Sequence, residues 1–190
     1  MKPKDSNKEI AIIEQTLIIV SETGIAGVKM SKLAKRVGIS PSTLYVYFKT
    51  KEDLIVSIAY KILSTISEEL ISVLGESDEF ILKLKAKWIH MLQFRLNHEK
   101  ELNFMEQWMQ SPYFDKNRFK EQGDKLKPKT NLFQLGRDSG YLKDLDDHMM
   151  HTIISGMAKQ FAGLIKEGHL EMNNETIDLT FNILNDALKK

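Results

Sequence analysis

Apolar residues recur along this chain at three- and four-residue steps, and no stretch alternates convincingly at period two, so the pattern predicts helix throughout. Ile10, Ile13, Leu17 and Val20 define a first helix over about residues 8–22, stopped by Gly24, where a helix end calls for positive φ. Met30, Leu33, Ala34 and Val37 share one side of a second helix over 29–37, which Gly38 ends. Ser40 then offers an N-cap and Pro41 the favoured first helical position of a short helix running through Phe48. Thr50, followed three residues later by Asp53, caps a long helix to about Leu74 whose buried stripe is Ile55, Ile58, Ile62, Ile66 and Leu70.

Past Gly75 the pattern gives helices over 78–97 and 99–110, and Ser111-Pro112 then breaks the chain. A looser segment, 113–127, precedes a helix over 128–139 stopped by Gly140. The last two helices cover about 146–167 and 174–189, separated by Gly168 and the polar turn Met172-Asn173-Asn174. The fold class is all-α, without internal repeat or low-complexity tract.

Composition agrees with a globular chain: 190 residues, 42% hydrophobic and 28% charged. The absence of cysteine removes disulfides, thiolate zinc sites and cysteine nucleophiles together, and fits a cytoplasmic location. The first apolar run is interrupted by Glu14 and has no cleavage site after it, so neither a membrane span nor an export signal is expected. The net charge of +1 hides an asymmetry. Residues 1–51 hold nine Lys/Arg against four acids, a net +5, whereas 52–190 carry a net −4. Between Val28 and Lys51 there are six bases and no acid. A basic head on an acidic body points to a polyanionic partner for the head; a solvated basic face is the plainer alternative. Lys2, Lys4 and Lys8 fit a solvated tail better than a minor-groove arm.

The stretch Gly27 to Phe48 carries the main functional signal. Two short helices meet at a turn whose glycine removes a Cβ clash, and Ala34 is small where the second helix crosses the first. Leu33, Val37, Ile39, Leu44 and Phe48 supply the apolar contacts. Pro41, Ser42, Thr43, Tyr45 and Tyr47 remain outward, as short or hydrogen-bonding groups suited to base edges and phosphates in a major groove. Tyr45 and Tyr47 as packing residues is the competing reading.

These residues resemble the DNA-binding domain of the TetR family of bacterial regulators. The matching positions are Gly24, Leu33-Ala34, Gly38-Ile39-Ser40, Leu44-Tyr45-Val46-Tyr47-Phe48, Lys51 and Leu54, within about Ile10 to Ile58. The resemblance implies that Tyr45, Tyr47 and Lys51 hold phosphates, that Pro41, Ser42 and Thr43 face bases beside Ser40, and that Ser31 and Lys32 lie near the backbone or groove edge. The family usually places Thr or Ser where this chain has Lys29; a cation there can still meet phosphate, but the helix cap is lost or passes to another group.

The resemblance also implies three parts: a helix-turn-helix DNA-binding domain over 1–50, a connecting helix over 51–74, and a helical ligand-binding and dimerisation domain over 75–190. Trp88, Met91, Phe94, Arg95, Phe104, Met105, Trp108 and Met109 are the candidate effector pocket, with Glu106 or Arg95 for polarity. An ordinary core is the plainer use of such a stripe. The last two helices are more apolar than a hairpin on its own body requires, and Gly156 and Gly163 lie on one face. The expected homodimer interface is Met150, Ile153, Ile154, Gly156, Met157, Phe161, Gly163, Leu164, Phe181, Leu184 and Leu188, against the alternative of a thick monomer core.

His148 and His151 with Asp144 and Asp147 could in principle hold a metal, but solvated or interface histidines are the commoner use, and no metal or cofactor is expected. A Gly-rich phosphate loop, a Gly-x-Ser-x-Gly elbow and a His-Glu-x-x-His pair are all missing, which leaves an enzyme without support. The expected function is a homodimeric repressor, released from a palindromic double-stranded operator by an unknown small molecule, with no membrane partner. A helical architectural or interaction protein that binds DNA without an effector is the alternative.

Overall fold

The computed structural model describes residues 5–74, 79–126 and 131–190. Among them are ten α-helices: α1 (Ser6–Thr23), α2 (Met30–Val37), α3 (Pro41–Tyr47), α4 (Lys51–Leu74), α5 (Phe80–Asn97), α6 (Glu99–Met109), α7 (Lys116–Leu126), α8 (Leu132–Asp138), α9 (Asp147–Lys166) and α10 (Asn174–Leu188). A single 3-10 turn, Ile25–Gly27, follows α1. The expected starts of the fifth and eighth helices, like Lys2 and Lys4, lie outside the described residues. The segment expected to be loose after Pro112 is instead partly helical. Asp115 accepts from Asn117 N (2.9 Å) and Arg118 N (3.1 Å), so a local cap starts α7 where apolar periodicity is too sparse to announce it. No helix among the described residues is long and apolar enough to cross a membrane.

Contacts group the chain into two compact units that are discontinuous in sequence. The first comprises Met1–Thr65 and Glu99–Leu126, the second Ile66–His98 and Lys127–Lys190. The expected reading segment, residues 1–50, falls wholly within the first unit.

In the first unit α6 returns to pack on α1, with Phe104 and Trp108 fully buried. Gln107 clamps the end of α1: its Oε1 accepts from Ile25 N at 3.1 Å and its Nε2 donates to Val20 O at 3.4 Å. Backbone groups at a helix end that would otherwise lack partners are thereby satisfied. Tyr60, Phe114 and Phe119 surround the Trp108 ring edge-on at centroid distances of 5.1–5.9 Å, a favoured aromatic geometry.

In the second unit α5 packs on α8, α9 and α10 around Leu84, Trp88, Leu92, Met150, Ile154 and Leu184. Trp88 Nε1 donates to Thr180 Oγ1 at 3.1 Å, and Thr180 in turn donates to Thr176 O at 2.8 Å, so the buried indole N–H is satisfied. Asp146 caps α9 through Met149 N, and Asn173 caps α10 through Thr176 N.

Gly136 on α8 is there for space. A Cβ on it would lie 2.4 Å from Leu142 Cδ1 and 2.6 Å from Phe80 Cζ. Gly136→Ala should therefore force these packed side chains apart and lower the unfolding free energy by about 1–3 kcal/mol, measured by urea denaturation. An unchanged midpoint would show that the site can relax.

Candidate nucleic-acid interface

The α2–turn–α3 unit is set by local chemistry. Gly38 ends α2 at φ 73°, ψ 29°, in the left-handed region that glycine enters without penalty. Its N–H donates to Lys35 O (3.2 Å), and Ile39 N donates to Ala34 O (3.0 Å), the paired bonds that close a helix on a left-handed residue. Ala34, Leu33 and Leu44 are fully buried at the crossing, and Phe48 and Val28 pack beneath it. Ser40 accepts from Thr43 N at 3.1 Å and Pro41 opens α3, as expected. Thr50 accepts from Asp53 N at 3.0 Å; the reciprocal Asp53 carboxylate takes Lys49 N at 2.8 Å, so the box closes one residue before the cap.

With those groups inward, the other side of α3 faces solvent. Pro41, Ser42, Tyr45 and Val46 are exposed and Thr43 is half-buried; Val46 is 64% exposed. Ser40, Ser42 and Thr43 form a hydroxyl cluster, with Ser40 Oγ 2.8 Å from both Ser42 Oγ and Thr43 Oγ1. Ser40 is thus engaged as the cap while remaining at the surface. Lys29, Ser31 and Lys32 are exposed beside this face. The Lys29 side chain makes no capping bond to α2, as its departure from Thr or Ser implies. Lys35 and Lys49 are exposed as well, and among the described residues none of Lys29, Lys32, Lys35 and Lys49 forms an ion pair. Arg36 differs: it is held by Glu22 of α1 at 2.8 Å.

One expected contact is corrected, and a second is partly engaged within the protein. Tyr47 is only 9% exposed, and its hydroxyl accepts from Asp5 N at 3.1 Å, so it packs inward and pins the start of α1. The side chain points back because it shares a helix face with Leu44, three residues earlier. Lys51 is half-buried and donates from Nζ to Ala26 O at 3.2 Å, with the Tyr113 ring 5.9 Å away. Desolvation draws its pKa below the ordinary lysine value. It braces the 3-10 turn, and at most part of its donor capacity faces outward. Val46 and Lys49 are surface groups beside the site that the motif did not single out, although both lie in the acid-free run from Val28 to Lys51.

The expected effector residues divide between the two units. Trp88, Met91, Phe94 and Arg95 belong to the second; Phe104, Met105, Trp108 and Met109 belong to the first. Trp88 and Trp108 are each fully buried in their own unit's core, while Met109 is 44% exposed and points away from it. Among the described residues, two buried side-chain polar atoms lack a hydrogen-bond partner: Trp108 Nε1 in the first unit and His90 Nε2 in the second. Periodicity gives no signal for either.

The expected dimer face is also corrected. Met150, Ile154, Phe181, Leu184 and Leu188 are buried inside the second unit, because α9 and α10 spend their main apolar stripes on α5 and on each other. Ile153, Met157 and Phe161 are half-buried against the same core. What stays outward is Gly156 and Leu164, with Gly163 half-buried, joined by Met149 (51% exposed), Leu179 (54%) and Ile183 (45%). A Cβ on Gly156 or Gly163 would meet nothing within 4 Å. The seven-residue spacing of Met149, Gly156 and Gly163 carried this signal. Among the described residues no group of three His, Asp or Glu could hold a metal ion.

Residues 12–58 match the family model of bacterial regulatory proteins of the tetR family. The chain is 37% identical over 51 residues to the fatty acid metabolism regulator protein of Bacillus subtilis (strain 168), covering 27% of this chain and 26% of that protein. It is 35% identical over 80 residues to the class D tetracycline repressor protein of Escherichia coli, covering 42% and 36%. The match thus spans about a quarter to a third of these curated relatives' lengths. The crystal structure of a TetR family transcription regulator from Marinobacter aquaeolei VT8 shares the fold over 100% of both chains, with a TM-score of 0.87 and 23% identity. Residues 12–58 thus match the tetR family model, and the whole chain shares its fold with that TetR family structure.

Proposed function

We propose that this protein is a homodimeric repressor that binds a palindromic operator and is released by a small-molecule effector. The observation that carries the reading is the exposed side of α3, where Ser42, Thr43, Tyr45 and Val46 stand outward beside Lys29 and Lys32. Hydroxyls and a valine suit base edges and thymine methyls; the lysines suit phosphates. Tyr45 remains a phosphate ligand, and Lys29, Lys32, Lys35 and Lys49 take most of the electrostatic work first assigned to Lys51 and Tyr47.

Dimerisation is supported by the outward apolar set on α9 and α10, which a lone chain leaves in water. A two-fold pair of such faces makes a four-helix interface, with Gly156 and Gly163 permitting close approach. The effector reading is supported by Trp108 Nε1 and His90 Nε2. Leaving a buried polar atom unpaired costs about 1–3 kcal/mol, a cost that a ligand can offset by supplying the partner. The route to DNA is α4, one continuous helix that contributes to both units. An effector that favours one setting of α4 shifts the spacing of two reading heads, and a hundredfold loss of operator affinity needs only about 2.7 kcal/mol of differential binding.

Selection from random duplexes should enrich a symmetric sequence with half-sites about 10 bp apart or a multiple of that; enrichment of no symmetric site would defeat the repressor reading. Lys32→Ala should weaken binding to all sequences and lower the salt slope by about one. Thr43→Ala should instead change base preference at one position per half-site, by about 1–3 kcal/mol. Equal losses on every duplex would remove Thr43 from the reading set.

Tyr47→Phe separates its two roles. As a clasp on Asp5 it should cost about 0.5–1.5 kcal/mol of stability with near-normal operator affinity in the folded protein. A loss of affinity at unchanged stability would return Tyr47 to the phosphate contacts. For the interface, Leu179→Glu with Ile183→Glu should convert dimer to monomer in sedimentation equilibrium while the helical circular dichroism persists. A dimer that survives both charges must use another surface.

A further inference from the structure

Inside the second unit, a buried lysine has no counter-ion of its own. Lys87 of α5 is 8% exposed, and its Nζ lies 4.5 Å from the centroid of the Phe133 ring on α8. It therefore points into the seam between α5, α8 and α9 rather than back along its own helix. Among the described residues it makes no hydrogen bond and no ion pair. The acid that acts on it is Asp147, at the start of α9, but that carboxylate already accepts from Arg137 at 2.8 Å and from Asn131 at 3.1 Å.

The rest of the seam adds positive charge. Arg95 stands two turns along α5 from Lys87, and His151 stands one turn along α9 from Asp147. His151 keeps an exposed edge; partial burial first, then the charges of Lys87, His148 and Arg95, hold its imidazole below the ordinary range. Burial likewise pushes Lys87 down to about 8, which still leaves it mostly charged at neutral pH. An aromatic face compensates an ammonium only in part, and a methionine or leucine would fill the same space without any desolvation penalty. A cation kept in such a place is explained if an anion joins it.

We propose that this seam is an oxyanion site, in which Lys87 holds the carboxylate or phosphate head of a small molecule and His151 assists from its exposed edge. Arg95 borders the head, and the pair formed by Asp147 and Arg137 closes one side with little net charge. Binding stands on this geometry alone; that the bound anion acts as effector rests on the function proposed above.

The test is thermal unfolding and titration calorimetry of the full chain, with chloride at equal ionic strength as the reference. Inorganic phosphate and acetate probe the head alone; octyl phosphate and octanoate probe the same heads on an apolar tail and so separate a free oxyanion from an amphiphile. The expected result is a saturable rise in Tm with at least one of the four. It should be lost, or its Kd raised at least tenfold, in Lys87→Met, whose own Tm in chloride should equal or exceed the wild type's. His151→Ala should weaken the same response, and Lys87→Gln serves if Lys87→Met does not fold. No saturable response in the wild type, or an equal response in the folded Lys87 variant, overturns the site. Operator affinity measured with the bound anion is read separately: anion binding that leaves DNA affinity unchanged keeps the site and removes its effector role.

Discussion

The reading face depends on one backbone constraint, the reversal at Gly38. Its positive φ lets Gly38 N and Ile39 N both turn back onto α2, and the fully buried Ala34 leaves room for α3 to cross. Once Leu33 and Leu44 are buried at that crossing, the helical step of about 100° per residue decides the rest. Thr43, Tyr45 and Val46 must turn away from the core, and Tyr47, three residues beyond Leu44, must turn toward it. The surface proposed to meet a duplex is thus what remains of a packing problem solved on the opposite side.

The same economy governs the aromatic side chains. Trp88 and Trp108 look alike in sequence, each followed within three residues by a methionine on an apolar stripe. One indole is fixed by Thr180 and the edge of Phe161; the other sits among Tyr60, Phe114 and Phe119 with no acceptor for its N–H. The two cores are built by different means, and residues of α4 fall in both units.

The helix-turn-helix was legible almost to the residue because its signals are local. Ser40, Pro41 and Gly38 act within one turn of where they stand, and α2 and α3 begin and end within a residue of the expected bounds. Legibility failed where the deciding partner is distant in sequence. Tyr47 is turned into a clasp by Asp5, 42 positions away, and Lys51 into a brace by Ala26, 25 positions away. For α9 and α10 the apolar period showed that both helices have a buried side. It could not show that Met150 and Leu184 face their own core while Met149 and Ile183 face water, because that choice is made by α5. Lys87 was invisible for the same reason: a lysine on an amphipathic helix gives no hint that Phe133 will cover it.

The central claim, that the outward side of α3 is what meets DNA, is tested most directly by methyl and aromatic NMR of the protein titrated with its selected duplex. The account predicts that the Val46 methyls and the Tyr45 ring shift strongly and lose solvent access, with the Tyr47 ring largely unmoved. Shifts confined to other surfaces, with Val46 and Tyr45 unchanged at saturation, would contradict it.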